Sequence, residues 1–117
     1  MKTWSISKEK LLEAASVLDL VPTRPGQPSS EFFEVTPKNG HVRFSIAAEV
    51  MGVVKLRGSG DWPFEKDFYL DRRVFMPFVN VARDIKSDAP FIFSRQKKRL
   101  IVRQGKRKAG FDGQPAL

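Results

Sequence analysis

Nucleophilic, metal-dependent and acid–base chemistry each need particular side chains at particular spacings, and this chain is short of all three. It has no cysteine, which removes disulfides, thiolate nucleophiles and Cys-ligated zinc together. Its one histidine, His41, follows Asn39-Gly40 and reads as a surface residue on a strand edge. One imidazole cannot build a His cluster for a catalytic metal. Glu31 with Glu34, and Asp84 with Asp88, have the spacing of carboxylate pairs. Neither has a histidine, a nucleophile or a dense carboxylate neighbourhood to work with. Gly58-Ser59-Gly60 lacks the Gly-Lys-Ser/Thr of a phosphate loop and reads as a turn. The expectation is a protein with no catalytic residue, no metal and no cofactor.

The residues that remain are cations. The 117-residue chain carries a formal charge of +8. Arg95, Lys97, Lys98, Arg99, Arg103, Lys106, Arg107 and Lys108 fall between 95 and 108 with no acid among them, and these 8 charges equal the whole excess. A single-sign field of this kind draws phosphates and releases their counterions. It also serves as a set of solvated strand edges and hairpin tips that discourage aggregation. Both uses stay open for Lys97-Lys98 and for Lys106-Arg107-Lys108. Arg72-Arg73, opening a helix, oppose the helix dipole, which suggests phosphate contact. Arg24, between Thr23 and Pro25, reads equally as a loop charge packed on carboxylates. Trp4, Trp62 and Tyr69 fit core packing or loop anchoring better than base stacking.

The elements that must carry these residues follow from period and punctuation. Trp4-Ser5-Ile6-Ser7 alternates as a strand, and Ser7 can cap a helix over about Lys8–Val21 with Leu11, Leu12, Ala15 and Leu18 inward. Thr23–Ser30, with Pro25, Gly26 and Pro28, is a loop. Glu31–Val35 and His41–Ile46 are strands around an Asn39-Gly40 turn. Gly52 marks a turn or bulge before Val53–Arg57. The order then begins again. Lys66–Leu70 is a strand and Asp71 caps a helix over about Arg72–Ile85, with Pro77 giving a kink or a late start. Phe91–Phe93, Leu100–Arg103 and Arg107–Phe111 are strands. The chain is an α+β protein: two strand-helix-three-strand units, with two helices packed side by side on curved antiparallel sheet. One domain covers 1–113, and 114–117 is a frayed C-terminal tail.

This order, together with Ser-Lys-Glu-Lys-Leu-Leu at 7–12, Thr-Arg-Pro at 23–25, Leu-Asp-Arg-Arg-Val-Phe at 70–75 and Leu-Ile-Val-Arg-Gln-Gly-Lys-Arg-Lys at 100–108, resembles the first domain of the bacterial DNA polymerase sliding clamp, the β subunit. The resemblance covers nearly the whole chain. It implies a DNA-clamp-like fold, a ring of six such domains around duplex DNA with helices lining the hole, and a tethering role without chemistry. It also implies phosphate contacts at Arg24, Arg72 and Arg73. A clamp subunit carries three such domains and this chain carries one, so the resemblance implies either a clamp fragment or a single-domain protein whose ring would be a homo-oligomer joined through sheet edges. The helix faces here expose Glu9, Glu13, Asn80 and Asp84 beside Arg73, and so are not richly basic. The expected partners are DNA, duplex above all, and replication or repair proteins. The alternatives are a clamp-fold module that joins proteins without encircling DNA, and a compact single-strand nucleic-acid binder. The absence of cysteine and of an apolar leader in Met1-Lys2-Thr3-Trp4-Ser5 points to a cytoplasmic protein. No apolar run approaches the roughly 20 residues of a membrane span.

Overall fold

Ser7 and Asp71 each turn a strand into a helix. The Ser7 hydroxyl accepts the Lys10 amide at 3.2 Å, and the Asp71 carboxylate accepts the Arg73 amide at 2.9 Å. Each satisfies one of the amides that a helix start leaves without a partner. These two steps organise the computed structural model, which describes residues 1–113; the tail at 114–117 lies outside the described residues.

The first half runs β1 (Trp4–Ile6), α1 (Lys8–Leu18), α2 (Pro28–Glu31), β2 (Phe32–Lys38), β3 (His41–Ala47), β4 (Met51–Leu56) and β5 (Ser59–Gly60). The second runs β6 (Phe68–Asp71), α3 (Arg72–Asn80), a 3-10 turn (Val81–Asp84), β7 (Phe91–Gln96), β8 (Arg99–Gln104) and β9 (Arg107–Asp112). Helix α1 stops at Leu18, short of the expected Val21, because Leu20 and Val21 close back on Val17 and Leu18 in tight turns and Pro22 steers its predecessor away from helix. Its buried stripe is Leu11, Ala14, Ala15 and Leu18, the strict i, i+3, i+4, i+7 set, while Leu12 is only half-buried. The expected loop at 23–30 ends in the short helix α2, which Pro28 opens from a position where its missing amide costs nothing.

Gly52 is neither a turn nor a bulge. It lies within β4 opposite Ile46, and a Cβ there would come within 2.8 Å of the Val21 side chain. Its lack of a side chain lets the end of α1 settle on the sheet. Pro77 does not delay α3, which begins directly at Arg72; after Asn80 the α-helix gives way to the 3-10 turn rather than reaching Ile85.

The antiparallel sheet comes as two. Their orders are β5-β1-β7-β8-β9 and β4-β3-β2-β6. The halves thus exchange their first strands: β1 joins the second half's three strands and β6 joins the first half's. Phe75 on α3 locks both sheets into one core, with its ring 6.2 Å from Phe33 and 6.1 Å from Phe44 on one sheet, and 6.4 Å from Phe93 and 5.5 Å from Phe111 on the other. Trp4 and Trp62 are buried in edge-to-face contact at 5.4 Å, so they belong to the core. Among the described residues no helix is long and apolar enough to cross a membrane.

Candidate nucleic-acid interface

On the helical side the cations are largely engaged. The Arg24 Nε donates to the Glu49 carboxylate at 2.9 Å, and this bond holds the Glu49 carboxyl below its usual range. Arg73 grips both oxygens of Asp71, at 2.9 and 2.8 Å, and reaches Glu31 at 3.0 Å. Partial burial pushes the Asp71 carboxyl up, but the Arg73 side-chain and amide hydrogen bonds and its charge outweigh this and leave it lowered. The same grip raises the Arg73 guanidinium. Lys8 donates to the carbonyls of Ile85 and Ser87, and Arg83 to Leu12, Ser16 and Asn80. Lys10 lies between Glu9 and Glu13.

Arg72 departs furthest from the expected phosphate contact. It is buried, 6% exposed. Its guanidinium donates to the carbonyls of Ser30 at 3.3 Å and Leu18 at 3.2 Å, and lies over the Phe33 ring. Burial lowers its pKa against the pull of nearby Asp19. It ties the end of α1 to α2, because the first residue of α3 points inward where the second points out.

The sheet side is different. Strand alternation sends Leu100, Val102 and Gln104 inward on β8, and Ile101 and Arg103 outward. The register then sets Ile92, Arg103 and Lys108 side by side across β7, β8 and β9. Lys97 and Lys98 form the β7–β8 tip, with Lys97 in the left-handed region at φ 57°, a conformation that costs a lysine more than a glycine. Lys106 occupies the β8–β9 tip, at the other end of β8, about 20 Å away.

The expected trio of Lys106, Arg107 and Lys108 is therefore split. Arg107 faces inward: it donates to the Phe78 carbonyl at 2.9 Å and to Gln104 at 3.0 and 3.2 Å. Burial lowers its pKa. Arg95 lies over the Phe64 ring and bonds the Lys97 carbonyl, and Arg99 pairs with Asp112 at 3.1 Å. Among the described residues, Lys97, Lys98, Arg103, Lys106 and Lys108 have no carboxylate within salt-bridge distance. Arg103 was not among the predicted contacts, although its outward position could be read from the alternation of Leu100–Arg103. Also missed was a second group of cations, on the outer positions of β3 and β4, which the spacing of His41 with Arg43 and Lys55 with Arg57 already hints at. Among the described residues no three His, Asp or Glu side chains converge as a metal site would need.

Two strand-helix-three-strand halves that exchange their first strands, with paired helices over two antiparallel sheets, define the fold of a sliding-clamp domain. Solved bacterial clamps carry the likeness. The chain matches the DNA polymerase III subunit beta from Pseudomonas aeruginosa at a TM-score of 0.76 and 16% identity, over 97% of this chain and 30% of that one. It matches the DNA polymerase sliding clamp from Caulobacter crescentus at 0.76 and 17%, over 99% and 31%. A putative DNA polymerase III beta subunit from Eubacterium rectale gives 0.75 and 15%, over 97% and 30%. The chain thus spans about 30% of the length of these clamps. No protein-family model and no curated protein sequence matches it.

Proposed function

We propose that this chain is a non-catalytic, clamp-type DNA-tethering protein of replication or repair, with residues 1–113 acting as one domain. Its phosphate contacts come from the sheet side, so DNA lies against the sheets rather than through a hole lined by the helices. The observation that carries this is the Arg103–Lys108 pair on the outer face of β8 and β9, unneutralised and flanked by Lys97, Lys98 and Lys106 at the tips. Exposed cations without carboxylate partners are the ones free to release DNA counterions. Arg24 and Arg73 reach DNA only where it displaces Glu49, Asp71 and Glu31, and Arg72 and Arg107 hold the elements in place. The test is a salt titration of DNA-duplex affinity for the wild type and for Arg103→Gln/Lys108→Gln. The variant should bind more weakly, with a salt slope smaller by about two. An unchanged slope and affinity would remove this face as the interface.

A second reading, a protein-joining module, is favoured by one feature. The free edge strand β4 exposes Met51 and Val53, and Val53 lies beside the exposed Val17 of α1. An apolar sheet edge of this kind suits a paired strand from a protein partner.

A further inference from the structure

The second group of cations lies on the outer face of the four-stranded sheet. Val42, Phe44 and Ile46 point into the core, so His41, Arg43 and Ser45 point out. The register sets Arg43 between Thr36 on β2 and Lys55 on β4, and sets Lys38 opposite His41. Arg57 follows Lys55 by two residues and comes beside His41. Like charges directly opposite one another across strands destabilise a sheet, yet among the described residues none of Lys38, Arg43, Lys55 and Arg57 has an ion-pair partner. Glu34, on the same face, lies opposite Ser45 and diagonal to Arg43. Two polar atoms of one row, the Arg43 Nε and the Thr36 hydroxyl, are buried without a hydrogen-bond partner. Such groups normally find one.

We propose that the row Thr36–Arg43–Lys55, with Lys38, His41 and Arg57 at its hairpin end, is a second phosphate site that takes the phosphodiester backbone of DNA. A phosphate on this face would relieve the Arg43–Lys55 repulsion, and if the Arg43 side chain turned outward it would also uncover the orphaned Nε and hydroxyl as donors. The planar guanidinium fork matches a phosphate's oxygens. Cations spread over three strands, about 4.8 Å apart across the sheet and about 7 Å along it, suit a polymer of repeating charge better than one isolated anion. The site rests on the DNA reading above and extends it to the second sheet.

The single histidine makes the test direct, because His41 gives one unambiguous ring signal in NMR. Its surroundings are Lys38 on β2, Arg43 on its own strand, and Lys55 and Arg57 on the β4 side. Lys2, Asp61 and Glu65 lie around the adjoining cavity of about 550 Å³. Desolvation, then Lys55, Arg57, Lys38 and Arg43, hold the imidazole below its ordinary pKa, so an arriving phosphate should raise it. Titration with a short DNA duplex should raise the His41 pKa. Arg43→Gln/Lys55→Gln should abolish that rise, weaken binding about tenfold and flatten the salt slope by about two. Arg103→Gln/Lys108→Gln should keep the His41 response. If Arg43→Gln/Lys55→Gln binds like the wild type while Arg103→Gln/Lys108→Gln is weakened, this site is wrong and the DNA reading stands. If neither pair matters, both are wrong. A His41 response to inorganic phosphate but not to DNA would reduce the site to a small-anion pocket. An equal response to polyglutamate would make the partner an acidic peptide. Either result overturns the proposal.

Discussion

Arg107 on the last strand is bolted to Phe78 on α3. Its Nη1 donates to the Phe78 carbonyl at 2.9 Å, and its guanidinium lies 4.4 Å from the centre of the Phe78 ring. A cation near the C-terminal end of a helix also complements the helix dipole. One residue of a basic triplet is thus part of the frame, while its neighbours Lys106 and Lys108 face solvent.

The triplet should therefore divide when it is mutated. Arg107→Ala should lower unfolding stability by about 1.5–3 kcal/mol, the usual range for charge-assisted hydrogen bonds. Lys106→Ala and Lys108→Ala should stay within about 0.5 kcal/mol of the wild type. DNA affinity should show the reverse preference. Urea unfolding and a binding isotherm on the same three variants check both halves.

Arg72→Ala should be among the most destabilising substitutions of any charged residue, by about 2–4 kcal/mol, since it strips donors from two buried carbonyls and leaves a hole beneath Phe33. Arg72→Lys should recover only part, because an ammonium cannot span the Ser30 and Leu18 carbonyls as a fork does. Chemical denaturation of the two variants should rank them in that order.

Asp71 sets an acid limit. Its carboxyl is lowered in the folded protein by Arg73, so its contribution is fully present above the ordinary carboxylate pKa of about 3.9 and is lost as pH falls through the depressed folded value. Asp71→Asn should be less stable at neutral pH, and its melting temperature should fall less on acidification. Parallel pH dependence in variant and wild type would show that the pair contributes nothing to acid unfolding.

Assembly should depend on salt. β4 and β9 each end a sheet, and both carry cations, Lys55 and Arg57 at one edge and Lys106 and Lys108 at the other. Head-to-tail pairing would set these groups against one another, and ions screen that repulsion. Light scattering should report a larger mass at high ionic strength, up to about 80 kDa for six 13.3 kDa chains in a closed ring. A monomer mass at low and high salt, at high protein concentration, rules out the self-assembled ring.

Much of this protein was legible one segment at a time. The Ser7 and Asp71 caps, the Asn39-Gly40 hairpin, the alternation of Val42, Phe44 and Ile46, and the repeated element order are local signals, and the clamp fold they suggested is the one observed. Corrections came where distant neighbours act. Gly52 looked like a turn because nothing nearby in sequence announces that Val21 will press on it.

The sequence alone determined that the chain holds an excess of positive charge without cysteine, and where its two longer helices begin. Those properties depend on residues a few positions apart. Tertiary structure alone decided which charges are available. Consecutive residues on a strand face opposite sides, and a helix turns its first and second residues apart, so neighbours of one type receive opposite roles: Arg72 in and Arg73 out, Arg107 in and Lys108 out. The meeting of Arg43 with Lys55 depends on cross-strand register, which long-range pairing sets once the hydrophobic face of each strand has found the core.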